Sequence, residues 1–216
     1  MRRLLVFAAS LLMFALIVGA CAIVGERGSG SMATESRDVS GFDQVDLSGS
    51  GTVLIAVTGT ESLTIEAEDN ILPLLTTEVR NGRLELGSKQ NISPTREIVY
   101  TITVVSLEAV AVSGSGSVTA TNIDAEAFNV EISGSGTVVP EGVSESLDLS
   151  ISGSGVFEGE ALLSAAGTVS VSGSGDAVVN VTDDLDVKVS GSGNVEYLGD
   201  PRVSVSISGS GDVSRR

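Results

Sequence analysis

The sequence predicts an all-β fold, a parallel β-helix or solenoid of 18–20-residue coils with wider N-terminal coils, and three observations lead there. The tetrapeptide Ser-Gly-Ser-Gly occurs seven times, starting at Ser48, Ser113, Ser133, Ser152, Ser172, Ser190 and Ser208. The last six copies are 20, 19, 20, 18 and 18 residues apart, too regular for a flexible linker and too short for separate domains. Each copy is embedded in a period-two alternation of apolar and polar residues, the pattern of a strand with one buried face.

In chain order, the first element is an export signal. Arg2 and Arg3 precede an apolar stretch from Leu4 to Val18, broken only by Ser10 and ending in Val18-Gly19-Ala20-Cys21. A positive start, a short apolar run and small residues before a cut describe a secretory signal over residues 1–20. Cys21 is the single cysteine, which excludes an internal disulfide. Val18-Gly19-Ala20-Cys21 resembles the bacterial lipoprotein box, although leucine is commoner at the Val18 position and glycine unusual at the Gly19 position. The resemblance implies that the Cys21 sulfur takes a diacylglyceryl group, so that Cys21 is the lipid attachment site and a membrane is a partner. The location it implies is the bacterial cell envelope, and Ala22 after the cysteine points to the outer membrane in enteric-type bacteria. An uncleaved membrane anchor and a plain secretory signal cut elsewhere are the alternatives, because the apolar run is near the lower length limit for a bilayer span.

Residues 21–40 are small, polar and aperiodic, and are expected to form a flexible tether. Gly28-Ser29-Gly30-Ser31 lies within them and imitates the repeat, but no alternating valines flank it. The domain proper is expected over residues 41–216. In Val130-Glu131-Ile132-Ser133-Gly134-Ser135-Gly136-Thr137-Val138, strict alternation places Val130, Ile132, Gly134, Gly136 and Val138 on one face and the serines on the other. The same phase recurs at the structural repeat glycines Gly49 and Gly51, Gly114 and Gly116, Gly153 and Gly155, Gly173 and Gly175, Gly191 and Gly193, and Gly209 and Gly211. Two inward glycines per coil require either a close approach of the opposite wall or a sharp bend. Pro140-Glu141-Gly142, Thr182-Asp183-Asp184 and Gly199-Asp200-Pro201 supply turn chemistry between copies. One coil is therefore strand, turn, strand and glycine pair, and an antiparallel sandwich or barrel is the competing architecture. The interval from Ser48 to Ser113 breaks the period. Its Leu63–Ala67, Arg83–Leu86 and Glu97–Val105 stretches read as strands, with a short helix or loop around Pro73, in wider coils that cap the N-terminal end.

Composition narrows the chemistry. Removing residues 1–20 takes away two arginines and no acid, moving the formal charge from −16 to −18, which argues against nucleic acid and anionic lipid as partners. There is no histidine, so the usual general base and the commonest metal ligand are both missing. No zinc site can be built from His and Cys. Tryptophan is absent and aromatics make up 3 % of the chain, which calls for a thin aliphatic core.

Gly41-Phe42-Asp43-Gln44-Val45, the Leu63-Thr64-Ile65-Glu66 strand, Asn81-Gly82-Arg83-Leu84-Glu85-Leu86 and the serial Ser-Gly-Ser-Gly coils together resemble the head GIN domain family of putative auto-transporter adhesins. The resemblance spans about residues 40 to 213. It implies a right-handed β-helix in exported, often lipid-anchored bacterial proteins, and it carries no catalytic motif. The expected role is a non-catalytic binding, adhesion or scaffold module, with no cofactor. Its expected partners are an envelope protein or glycan, and itself through strand edges. A β-helix polysaccharide enzyme would have to use Asp148, Glu158, Asp176, Asp186 or Asp212, which are scattered over outward positions. Calcium binding would rest on Gly173-Ser174-Gly175-Asp176 and Gly209-Ser210-Gly211-Asp212, but the aspartate is missing from five of the seven copies.

Overall fold

The computed structural model describes residues 25–216. The expected signal and Cys21 lie outside the described residues. Short strands open the fold: β1 (Glu26–Arg27), β2 (Met32–Arg37), β3 (Gln44–Gly49), β4 (Thr52–Val57), β5 (Ser62–Glu68), β6 (Leu75–Arg80), β7 (Arg83–Ser88), β8 (Ile92–Ser93), β9 (Val99–Val104) and β10 (Ala109–Gly114). The repeats then give four long strands, β11 (Ser117–Gly134), β12 (Thr137–Gly153), β13 (Val156–Gly173) and β14 (Asp176–Gly191). β15 (Asn194–Leu198), β16 (Arg202–Gly209) and β17 (Asp212–Arg215) complete the order.

Each coil crosses two facing walls. On the first wall, β7, β3, β10, the second halves of β11 to β14, and β16 pair in parallel. On the second, β9, β4, the first halves of β11 to β14, β15 and β17 do the same. Identical phase in every coil turns alternation into columns. Val45, Val110, Val130, Leu149, Val169 and Val187 stack on the first wall, all no more than 2 % exposed. Val53, Val118, Val138, Phe157, Ala177 and Val195 face them from the second wall. A coil buries its apolar face only against its opposite wall and its neighbours, so aliphatic side chains suffice where a thicker core would need aromatics. Ser144 and Ser164 are buried inside the stack, and their hydroxyls satisfy each other at 2.8 Å.

The Ser-Gly-Ser-Gly segments are the corners between walls. The first glycine of each copy does not face inward as alternation suggests. Gly134 has φ of +127°, and a Cβ there would land on the carbonyl oxygen of Gly114 in the preceding coil. That carbonyl is already taken by the Ser135 N–H at 2.8 Å, and the same bond recurs from Ser154 to Gly134 and from Ser174 to Gly153. The second glycine does face inward. A Cβ on Gly136 would lie 2.5 Å from Cγ1 of Val112. One glycine makes the bend and lets coils stack backbone to backbone, while the other leaves room for the neighbouring coil's core residue.

The other corner departs from expectation as well. Pro140-Glu141-Gly142 lies inside β12 at the register shift between Val138 and Gly142, and Thr182-Asp183-Asp184 lies inside β14 at a second shift a few residues further along the coil, between Ser164 and Ala166 of the neighbouring β13. These are bulged corners rather than loops, because an extra unpaired residue bends a strand without ending its ladder. Gly199-Asp200-Pro201 alone among the three separates two strands, β15 and β16.

The N-terminal end is a cap whose spatial order is not its chain order. β7 and β9 pair in parallel outside β3 and β4, and antiparallel strands then cover them, β6 on β7 and β5 with β2 on β9. Asn81 and Gly82 turn β6 into β7 with φ of +52° and +79°, the left-handed pair that a tight two-residue hairpin demands. The segment around Pro73 is a 3₁₀ turn, Leu72–Leu74. The flexible tether expected over residues 21–40 is corrected from Gly25 onward. β1 pairs with β8 and β2 adds to β5. Two long-range anchors explain the order. The Arg37 guanidinium donates to the carbonyls of Leu72 and Leu75, each at 2.9 Å. The buried Glu68 carboxylate accepts from the backbone N–H of Gly30 at 2.6 Å and of Thr95 at 2.8 Å, and from the Thr95 hydroxyl at 2.5 Å.

Candidate functional site

Outward side chains form rows that climb the walls at the strand spacing of about 4.8 Å. On the first wall one row reads Arg83, Gln44, Ala109, Asn129, Asp148, Thr168, Asp186 and Ser204, and the next reads Glu85, Asp46, Ala111, Glu131, Ser150, Ser170, Lys188 and Ser206. Both rows drop to alanine at β10. Longer side chains on β3 and β11 flank it, so a trough about two strand spacings wide, roughly 9–10 Å, runs along β10. Its volume is ≈ 370 Å³, with Ala109 and Ala111 as floor and Gln44, Arg83, Asn129, Glu131 and Asp148 among its lining.

The rim is polar and partly organised. Arg83 donates from Nε and Nη2 to Gln44 Oε1 at 3.3 and 3.2 Å, and its Nη1 lies 3.8 Å from Asp46 Oδ2. The other Asp46 oxygen, Oδ1, is buried without a hydrogen-bond partner. Partial burial pushes the Asp46 carboxyl above its ordinary value; Arg83 opposes this, while Glu85 and Glu131 reinforce it. The trough thus offers amide, guanidinium and carboxylate groups over a methyl floor. Such a surface suits an uncharged or cationic chain with many hydroxyl or N–H groups.

Of the acids singled out from the sequence, only Asp148 belongs to the trough. Asp186 lies two coils further along the same row, with Thr168 between. Glu158, Asp176 and Asp212 are on the second wall. Asp176 accepts from the Asn194 backbone N–H at 3.2 Å and side-chain Nδ2 at 2.9 Å. Asn194 in turn separates Asp176 from Asp212, and no cluster of three or more metal-ligating side chains occurs among the described residues. The fourteen repeat glycines line the corner described above, and their serines are exposed in two stacked rows. Sequence reading passed over Ala109 and Ala111. The usable signal was an Ala-x-Ala at outward positions aligned between Gln44-x-Asp46 and Asn129-x-Glu131.

Fold and surface together define a β-solenoid with a polar, concave first wall and no helix long and apolar enough to cross a membrane among the described residues. The chain belongs to the family described as putative auto-transporter adhesin, head GIN domain, whose pattern matches residues 41–201. Among solved structures it is similar to a putative adhesin from Bacteroides fragilis, at 26 % identity and a TM-score of 0.67 over 89 % of this chain and 100 % of that one. A putative lipid binding protein from Parabacteroides distasonis shares the fold at 22 % identity and a TM-score of 0.55, over 89 % of this chain and 100 % of that one. A putative adhesin from Parabacteroides merdae does so at 16 % identity and 0.59, over 89 % of this chain and 99 % of that one. No curated protein matches the chain.

Proposed function

We propose that this protein is a non-catalytic adhesion module of the bacterial cell envelope, held to the membrane by lipid on Cys21, that grips an extended glycan or peptide segment in the first-wall trough. The observation that carries the reading is the trough itself. The rim stands on paired strands and Arg83 and Gln44 already hold each other, so binding orders fewer groups. The floor is methyl, which accepts the apolar face of a sugar ring or a side chain while the rim hydrogen-bonds its edges. The family's description and the name of the B. fragilis relative support adhesion. Cys21 supports the anchor through its place in Val18-Gly19-Ala20-Cys21.

Binding to intact bacterial cells and to a glycan array tests the site. Ala111→Trp fills the trough on an exposed face and is expected to abolish retention, whereas Ser170→Trp, in the same row two coils beyond Glu131, is expected to leave it unchanged. Equal retention by both variants would remove the trough from the mechanism. Mass spectrometry of the mature N-terminus tests the anchor independently, with a diacylglyceryl-modified Cys21 expected.

A further inference from the structure

We infer that the rung formed by β16 and β17 is a two-fold dimer interface whose occupant is a second copy of this chain. The apolar columns that are sealed through the stack open at this rung. Leu185, Val187 and Val189 are no more than 2 % exposed, but their register partners Val203, Val205 and Ile207 are 37 %, 47 % and 44 % exposed. All eight residues of β16 are exposed, and among the described residues β16 pairs only with β14. Its far side therefore presents free N–H and C=O groups beside an uncovered apolar face. Natural edge strands are guarded by charge, proline or a bulge. Between Val203 and Gly209 there is none of these.

The sequence of the edge selects its partner. Val203-Ser204-Val205-Ser206-Ile207 reads almost the same in both directions. Antiparallel pairing of two copies about Val205 sets Val205 against Val205, Val203 against Ile207 and Ser204 against Ser206. Directly opposed residues in an antiparallel pair share a face, so all the apolar side chains meet on the core side and all the serines remain outside. A two-fold axis needs this kind of self-complementarity. Charge points to the same place. The chain is strongly acidic and repels copies of itself over most of its surface. At this rung arginines offset acids of the strands below and of the preceding turn, Arg202 pairing with Asp184 at 2.8 and 2.6 Å, Arg215 with Asp200 at 2.9 Å, and Arg216 with Glu160 and Glu196. Among the described residues this leaves Asp212 as the one unpaired acid of β16 and β17.

The inference is independent of the trough. Its test is oxidative crosslinking of the full chain in the membranes of cells that express it. Val205→Cys places one thiol on the two-fold axis, and the double variant Ser204→Cys with Ser206→Cys probes the same register from the solvent side, where no core is disturbed. Both are expected to give a covalent dimer as the main species under denaturing conditions, while the unaltered chain and Ser170→Cys give no covalent dimer. Ser206→Lys, a guard charge on the edge, is expected to abolish dimerisation in light scattering of the detergent-solubilised chain and to keep the β-sheet spectrum. Monomers throughout, a ladder of higher oligomers, or crosslinking of β16 to a different protein would each overturn the two-fold dimer.

Discussion

The two ends of this solenoid solve the same problem in opposite ways. A parallel stack exposes strand edges and an unsealed core at each terminus. At the N-terminal end, antiparallel strands β6, β5 and β2 cover the last parallel rungs, and the outermost strands carry Glu78 and Arg80 on one side and Glu35 and Arg37 on the other. At the β16–β17 end no such cover is present among the described residues, the apolar column is half exposed, and Val203 to Gly209 carry no charge. The difference shows that the repeat encodes stacking, whereas covering an end takes a separate, aperiodic stretch of sequence, fixed by side chains such as Arg37 and Glu68 that have no counterpart in the coils.

The comparison is broken most severely from the middle of the stack. Gly153→Val puts a side chain on the Gly134 carbonyl at a φ of +125°, and a loss of at least about 3 kcal/mol is expected. Gly209→Val makes the same collision at the β16 rung, yet a smaller loss is expected in the monomer, because among the described residues this rung is held by a coil on one side only and can peel away from it. Denaturant unfolding of the two variants checks the difference, and equal losses would mean that the last rung is as firmly held as the interior.

A milder form of the same comparison truncates one column at two heights. Val187→Ala, at a site 0 % exposed, is expected to cost about 2 kcal/mol, and Val205→Ala, at 47 %, no more than about 0.5–1 kcal/mol in the monomer. Chemical denaturation at low protein concentration separates them. In the cap, Arg37→Ala strips two carbonyls of their donor and is expected to cost about 1–2 kcal/mol. Faster amide exchange should be confined to β2, β5 and the 3₁₀ turn.

The smallest effect expected is a pH dependence confined to the cap. The Thr95 hydroxyl, followed by backbone N–H groups of Thr95, Gly30 and Arg96, holds the Glu68 carboxyl below its ordinary value of 4.5, burial opposing. A lowered folded value means that the stabilisation is fully present above 4.5 and is lost as pH falls from there through the folded value. Protection factors of the Gly30 and Thr95 amides, taken relative to intrinsic exchange at each pH, should therefore fall on acidification in the unaltered chain. In Glu68→Gln they should already be low at neutral pH and change less with acid. Protection factors that stay constant with acid in the unaltered chain would deny Glu68 its role in holding Gly30 and Thr95 together.

Much of the architecture was legible because a solenoid is local. Val130, Ile132 and Val138 declare an inward face by alternation alone, and the constant spacing of the serines and glycines declares that the faces stack. The glycines were harder. Period two counts Gly134 as inward, but its positive φ rotates that position toward the neighbouring coil, a distinction invisible without backbone angles. The trough was half legible. Its residues lie on five strands, and Gln44 and Ala109, 65 residues apart, become neighbours only because the intervening cap loops out and returns.

What the sequence determined by itself is therefore the repeating part: strand phase, coil length, an aliphatic core, corner positions, and a surface chemistry without histidine. Each follows from interactions within one coil or between coils of identical pattern, so a single coil's residues suffice to state them. The tertiary structure decided everything that depends on which coil lies beside which. It placed β7 and β9 outside β3 and β4, drew residues 26–37 out of an expected tether into the cap, opened a trough over two alanines, and left β16 with a self-complementary edge. Those outcomes rest on contacts between distant segments of unlike sequence, where one guanidinium or one buried carboxylate outweighs any local pattern.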